Sequence, residues 1–160
     1  MADELMTLTT LEETLRDLAR DVQEGYKEEL ERNGHYTTLR TLINSVQTYV
    51  KAGDRCFEVR MKLEDYWKYL ENGTRPHWPP PGPIARWIEI KPVIPRPDAS
   101  GRIPSVKSLE YLIRRKIARE GTKATHDLEK TKDAVITAYR DRIEAAIRHD
   151  LYDYILKVLK

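Results

Sequence analysis

Proline is crowded into one part of this chain. Eight of the nine prolines in the 160 residues lie in the 22 positions from Pro76 to Pro97. Proline has no backbone N–H and its ring fixes φ, so long regular secondary structure is not expected there. We therefore predict one domain over residues 1–160 that carries an extended Pro-rich loop at about residues 76–104, with regular elements on both sides of the loop.

Two structures remain open for the centre of this segment. Pro83 suits the first position of a short helix, where a backbone N–H is not needed. The apolar face of that helix would be Ile84, Trp87 and Ile88. A short extended segment through Ile88, Ile90 and Val93 fits the same stretch equally well, and periodicity does not separate the two.

Three helices are predicted from apolar residues that recur at spacings of three and four. The first begins at a capping-box pattern, Thr10 with Glu13, and stops at residues 33–34, Asn-Gly. Two helices follow the loop. One is capped by Ser105 and ended by Gly121, and the other runs to the C-terminus. The apolar faces are, in order, Leu11, Leu15, Leu18, Val22, Tyr26 and Leu30; Val106, Leu109, Leu112, Ile113 and Ile117; and Val135, Tyr139, Ile143, Ile147, Leu151, Tyr154 and Val158.

A β-hairpin is predicted between the first helix and the loop. Val46, Thr48 and Val50 alternate with polar residues, residues 52–54 (Ala-Gly-Asp) supply a turn, and residues 56–61 resume as a second strand. A short helix over about residues 63–72 follows. The predicted fold class is therefore α+β, with a long N-terminal helix packed on a small antiparallel sheet, a Pro-rich loop and two C-terminal helices.

The composition is that of a folded protein with balanced charge. Charged residues make up 34% of the chain, hydrophobic residues 40%, and the net charge is +2. This argues against disorder and against a dedicated nucleic-acid binder. No apolar run approaches the roughly 20 residues that cross a bilayer, so we expect no membrane contact. The single cysteine, Cys56, cannot form an internal disulfide, which fits synthesis in a reducing cytoplasm, and free cysteines are usually buried.

No catalytic or metal-binding motif stands out. The four histidines, at positions 35, 77, 126 and 149, are not paired at the spacing of a local zinc site, and one cysteine cannot complete a cysteine-based site. The chain has no G-x-S-x-G, no phosphate-binding glycine loop and no H-E-x-x-H. We expect no catalytic residues, no metal and no cofactor, and therefore no enzyme.

A basic cluster lies on the first of the two C-terminal helices and just beyond it. On a helix these side chains are expected opposite Leu112 and Ile113. A solvated face is the ordinary interpretation, and an anionic partner is the functional alternative, which would make the protein a nucleic-acid-binding accessory protein. The interleaved aromatic residues typical of single-strand binding are missing from the local sequence. The cluster is Arg114, Arg115, Lys116, Arg119 and Lys123.

Residues 73–81 combine a helix stop, a guanidinium, aromatic side chains and rigid prolines. Rigid loops lose little entropy on binding, and Trp and Arg are frequent at interface hot spots. We therefore expect a contact surface in which Trp78 faces a neighbour; the alternative is that Trp78 plugs the core of its own domain. Trp87 stays open between the two. The motif at residues 71–75, Glu-Asn-Gly-Thr-Arg, is echoed at residues 119–123, Arg-Glu-Gly-Thr-Lys, and two similar helix C-caps are the plain explanation.

These two motifs carry a resemblance to a known family. The stretch from Tyr66 to Pro80 is similar to a Tyr-x-x-Tyr-x-Glu-x-Gly-Thr-Arg-Pro-His pattern, and the stretch from Ile113 to Lys123 is similar to an Arg-Lys-Ile-x-x-x-Gly-Thr-Lys run. Both patterns occur, in this order, in the small tail-component or tail-completion proteins encoded beside head–tail joining genes in lambdoid and related tailed bacteriophages. The resemblance covers roughly residues 10–130.

The resemblance implies a structural, non-enzymatic subunit of the virion, made in the host bacterial cytoplasm. Copies of the chain would form a ring in the neck or tail that joins the portal or adaptor side of the head to the tail proteins. Genomic DNA would pass through the lumen without specific binding. The expected assembly interface consists of Glu71, Gly73, Thr74, Arg75, His77, Trp78, Trp87, Gly121, Thr122 and Lys123.

Overall fold

The computed structural model of the chain describes residues 8–33, 40–53, 56–90, 95–97 and 101–159. A long N-terminal helix, a two-stranded antiparallel sheet and two C-terminal helices confirm the α+β class. In chain order the elements are α1 (Thr9–Arg32), α2 (Arg40–Ser45), β1 (Gln47–Ala52), β2 (Phe57–Lys62), α3 (Trp67–Asn72), α4 (Pro81–Ile90), α5 (Val106–Glu120) and α6 (Asp127–Val158).

The chain divides into two compact units. Unit 1 consists of Met1–Glu29, Ser45–Leu63 and Asp127–Lys160, and unit 2 consists of Leu30–Asn44 and Glu64–His126. Unit 1 therefore contains most of α1, the hairpin and α6, whereas unit 2 contains the short helices and α5. None of the described helices combines the length and the apolar composition that crossing a membrane would take.

The core of unit 1 joins α1, α6 and the hairpin. Leu18 and Val22 of α1 pack with Tyr139 of α6, and Met61 of β2 lies against this cluster. The Tyr139 hydroxyl donates a 2.5 Å hydrogen bond to Asp21. Burial and this hydrogen bond both raise the pKa of Tyr139 above its ordinary value. The predicted apolar face of α1 is thus the face that packs.

The hairpin is fixed to α1 through one residue of β1. The Thr48 backbone N–H donates to the Gln23 side chain at 2.8 Å, and the Thr48 hydroxyl donates to the Ala19 carbonyl at 2.8 Å. The strands pair in antiparallel register from Gln47 with Lys62 to Ala52 with Phe57. Because polar groups of the helix satisfy the edge of β1, the long N-terminal helix packs on the sheet as expected.

The start of α1 is capped by a residue from the far end of the chain. The backbone N–H groups of Thr10 and Leu11 donate to the two oxygens of the buried Asp150 carboxylate, at 3.1 and 2.9 Å. Thr10 already lies inside the helix, so the predicted capping box of Thr10 and Glu13 is wrong. Burial alone would raise the pKa of Asp150, but hydrogen bonds from the Thr10 side chain and from the backbone of Leu11 and Thr10 outweigh it, so the pKa lies below its ordinary value.

The packed face of α6 differs from the predicted row of apolar residues. Tyr139, Ala146 and Asp150 are buried, whereas Ile147 and Leu151 are exposed. An α-helix has 3.6 residues per turn, so a row at spacing four drifts by about 40° at each step. The predicted row therefore leaves the core after Ile143, and the packed face continues through residues at mixed spacings of three and four.

Unit 2 settles the alternatives that the Pro-rich segment left open. Residues 81–90 form the helix α4, with Ile88 buried and Trp87 half-buried, so the helical alternative is correct, although the helix begins at Pro81 and not at Pro83. The helix interrupts the predicted loop, and Val93 of the extended alternative lies outside the described residues. α4 packs along α5. Ser105 caps α5 as predicted, because its hydroxyl accepts from the Ser108 N–H at 3.2 Å.

Cys56, which lies in unit 1, is exposed, so the expected burial of this cysteine is wrong.

We predict that Asp150→Asn lowers the free energy of unfolding by about 1–3 kcal/mol at pH 7, because two backbone donors lose a charged acceptor. Urea unfolding measures this, and Asp141→Asn, at an exposed position of the same helix, is the control. The folded pKa of Asp150 is depressed, so its contribution is complete above the unfolded pKa and is lost as the pH falls through the folded value. A difference between variant and wild type that persists unchanged in strong acid would contradict this account.

Candidate functional site

The two Gly-Thr motifs, 48 residues apart in the sequence, meet in space within unit 2. Thr74 and Thr122 form an isolated antiparallel β-bridge. Each backbone N–H donates to the carbonyl of the other residue at 3.1 Å, and their hydroxyl oxygens lie 3.0 Å apart. The end of α3 and the end of α5 are therefore joined to each other by equivalent residues.

The glycine before each threonine allows the two backbones to come close enough to form this bridge. Gly73 has φ 66° and ψ −170°, and Gly121 has φ 71° and ψ −158°, a backbone region that only glycine adopts readily. A Cβ on Gly73 would overlap the carbonyl oxygen of Thr122, and a Cβ on Gly121 would overlap the carbonyl oxygen of Thr74. Both the torsions and the close approach of the two backbones require glycine.

The expectation of two ordinary left-handed helix C-caps is therefore incomplete. Gly121 does cap α5, since its N–H donates to the Ile117 carbonyl at 2.8 Å. Its extended ψ, however, sends the following threonine away from the helix and into the bridge, as Gly73 does for α3. The two similar motifs are thus the segments by which the chain leaves α3 and α5, and they pair with each other. We name this pair of segments the Gly-Thr crossing (residues 73–75 and 121–123).

The segment after Gly73 runs onto α5. The His77 N–H donates to the Ile117 carbonyl at 3.4 Å, and its ring Nδ1 lies 2.9 Å from the Arg75 carbonyl. Because a carbonyl only accepts, Nδ1 is the protonated ring nitrogen in this contact. The first contact joins the turn to the helix, and the second lies within the turn.

Trp78 packs between the turn and α5 without being buried. Its ring meets Tyr111 edge-on at a centroid distance of 5.9 Å, and the Arg114 guanidinium lies 5.0 Å from its centroid. Arg114 also donates to the Pro79 carbonyl at 2.8 Å. Trp78 is nevertheless 50% exposed. It is neither a core plug nor a detached side chain, so half of the ring stays available for contact.

Exposed basic and aromatic side chains lie on α5, in the turn that runs onto it and just after its end. Leu112 lies among them and is exposed, so the expectation that it faces away from the basic residues is wrong. Residues three and four apart on a helix are neighbours, so Tyr111 lies beside Arg115, and Leu112 lies beside both Arg115 and Lys116. Sequence reasoning missed Tyr111, although it stands one helical turn before Arg115. We name this set the basic–aromatic surface: Arg75, Trp78, Tyr111, Arg115, Lys116 and Lys123, all exposed.

Two residues of the expected interface lie elsewhere. Glu71 is 7% exposed, and its carbonyl accepts from the His126 N–H at 3.3 Å, so it lies inside the fold. Trp87 is half-buried on α4. The Glu71 carboxylate and a ring nitrogen of His126 lie within 4.8 Å of one another.

An open groove of about 410 Å³ borders the crossing and is lined by Tyr69, Thr74, Arg75, Pro76 and His77. It is open to solvent and suits contact with a protein surface better than enclosure of a small ligand, which is usually buried over most of its area.

A comparison of the chain with known proteins finds no matching family model, no matching curated protein and no matching solved structure. Function is therefore inferred from the residues and their geometry.

We predict that Gly73→Ala and Gly121→Ala each destabilise the protein by on the order of 3 kcal/mol or more, since each adds backbone strain and a steric clash. Gly101→Ala is a matched control, because Gly101 also has positive φ, 78°, but a Cβ there has nothing within 4 Å. That control should lose about 1–2 kcal/mol from the torsion alone. Equal thermal unfolding losses at all three positions would show that the crossing adds nothing.

Proposed function

We propose that this chain is a non-enzymatic structural subunit of a tailed-bacteriophage virion. Copies of it form a ring in the neck or tail that joins the portal or adaptor side of the head to the tail. Its partners are further copies of itself and the portal, adaptor and tail proteins, and the genome passes through the ring without specific binding.

The observation that carries the proposal is the Gly-Thr crossing. The resemblance to tail-completion proteins rests on two motifs that are far apart in the sequence, and these motifs build one structural feature. A chance similarity of two unrelated segments gives no reason for them to meet. Their pairing supports the interpretation that the two motifs belong to one structural unit.

A second support comes from α6. Its C-terminal half carries an exposed apolar stripe, with side chains 43–65% exposed. Contiguous apolar residues on the surface of a small protein commonly mark an interaction site. A subunit that becomes buried between neighbours in an assembly has a use for such a stripe. Its members are Ile147, Leu151, Ile155 and Val158.

We predict that the chain is found by mass spectrometry in purified particles, and that cryo-electron microscopy of the particle places it in a ring at the neck or tail. Absence of the chain from the particles would reject the proposal.

We further predict that Arg75→Ala and Trp78→Ala block incorporation into particles and change the unfolding temperature of the isolated protein only slightly, because both side chains are exposed. Arg140→Ala, at an exposed position in the N-terminal half of α6, is the control and should incorporate normally. A large loss of stability in Trp78→Ala, with normal incorporation of whatever remains folded, would instead show that Trp78 stabilises its own unit and takes no part in assembly.

A nucleic-acid-binding accessory protein remains the second candidate. It is favoured by one observation, that Tyr111 and Trp78 bring exposed aromatic rings to the basic cluster of α5. Stacking platforms beside cations are typical of single-strand binding. A titration with single-stranded DNA at several salt concentrations tests this role, because phosphate contacts weaken steeply as salt rises. Specific, salt-sensitive binding that Arg115→Glu abolishes would favour it over the ring role.

A further inference from the structure

The net charge of +2 is the sum over two units whose net charges have opposite signs. Unit 1 contains 14 Lys and Arg against 18 Asp and Glu, whereas unit 2 contains 14 Lys and Arg against 8 Asp and Glu. Their net charges are therefore −4 and +6, with histidine taken as neutral. A chain built in this way offers an anionic surface on one unit and a cationic surface on the other.

The cations of the basic–aromatic surface are available for a partner. Arg75, Arg115, Lys116 and Lys123 are exposed, and none of them forms an ion pair with any residue in the described part of the chain. Arg114 differs, because it is shielded and engaged with Trp78, Pro79 and Glu110. The half-exposed ring of Tyr111 lies one helical turn before Arg115, and aromatic residues and arginine are both enriched at protein interfaces.

Unit 1 presents a matching anionic ridge on α1. Glu13, Glu24 and Glu28 are exposed and lie on one side of the helix, and within the described residues none of the three forms an ion pair. Lys27 lies beside this ridge and is half-buried. The Arg20 guanidinium, also on this side, is already engaged with Asp17 at 2.8 Å and Asp21 at 3.8 Å. We name Glu13, Glu24 and Glu28 the acidic ridge.

We propose that copies of the chain associate head to tail, with the basic–aromatic surface of one copy seated on the acidic ridge of the next. This inference rests on the proposed ring role and specifies its subunit contact. The two surfaces belong to different units, so the contact is heterologous and leaves each copy with one surface still free. Repetition of such a contact builds a ring when the rotation closes.

The physical chemistry favours a second copy over an unrelated acidic partner. Opposite potentials steer two surfaces together and suppress pairing of like surfaces. Every copy carries both surfaces, so the complementary partner is always present at the concentration of the chain itself. Trp78 and Tyr111 supply apolar area at the contact, which free cations alone would lack.

Complementary charge reversals test the contact. One variant carries Arg115→Glu and Lys116→Glu, and the second carries Glu24→Lys and Glu28→Lys. Self-association is measured by sedimentation velocity over a range of protein and salt concentrations. The wild type should associate at low salt and dissociate as salt rises. Each variant alone should associate on the order of tenfold more weakly or worse, because like charges then face each other.

The decisive sample is the equimolar mixture of the two variants. In the mixture each reversed surface meets a complementary one, so association should return to within a few fold of the wild type. The control variant, Lys62→Glu with Arg140→Glu, lowers the net charge as much as the basic-surface variant does, at exposed positions outside both surfaces, and should associate as the wild type does. Thermal unfolding of all variants checks that they fold.

Three results would overturn the proposal: a wild type that stays monomeric at low salt, a mixture that does not recover, or a basic-surface variant that loses only DNA binding. The virion role fails separately. Recovery in the mixture without the chain in purified particles would reject the virion role and leave the contact, whereas presence in particles without recovery would reject the contact alone.

Discussion

Unit 2 is organised around the reciprocal contact between Thr74 and Thr122. Two backbone hydrogen bonds of 3.1 Å join the ends of α3 and α5, and each contributes only about 1 kcal/mol net. The larger effect is geometric. Gly73 and Gly121 let the two backbones approach to a distance that no other residue permits, so the two exits are fixed relative to each other. The direction of the chain after each helix follows from that contact.

The position of Trp78 depends on this contact. Because Arg75 leaves the crossing in a fixed direction, residues 76–79 run onto α5, where the His77 backbone and the Arg114 side chain hold them. The Trp78 ring is thereby held at the surface in one orientation beside Tyr111. A side chain that is already ordered loses little entropy when a partner covers it. The crossing thus links a sequence motif to a preorganised contact surface.

Much of the fold could be predicted because its signals are local. The apolar face of α1, the alternation in the hairpin and the Ser105 cap each lie within a few residues of the structure that they specify. The features that were missed depend on distant residues. Asp150 caps a helix that begins 140 positions earlier, and no local pattern indicates such a pairing. The packed face of α6 was predicted wrongly because a row of residues at spacing four drifts around a long helix.

In the candidate site, too, the local motifs were found from the sequence, whereas the contacts between distant residues were not. Sequence analysis found the Gly-Thr echo but not its meaning, since similarity between two segments does not reveal that they touch. It found the basic residues of α5 but assigned Leu112 to the wrong face and missed Tyr111, because the loop that defines the exposed side arrives from residues 76–79.

Net charge misleads for a related reason. The screening length at physiological salt is about 8 Å, so a partner responds to the charges of the surface that it touches and hardly to the sum over the chain. A value of +2 argued against a dedicated nucleic-acid binder, yet 14 of the 28 basic residues lie in unit 2, which holds only 8 of the 26 acidic ones. The net charge of a chain with two units therefore says more about its solubility than about the charge of the partners that each unit binds. The choice between a second copy and a nucleic acid depends on which anionic surface is geometrically complementary to α5, and the acidic ridge of α1 is the one that the chain itself supplies.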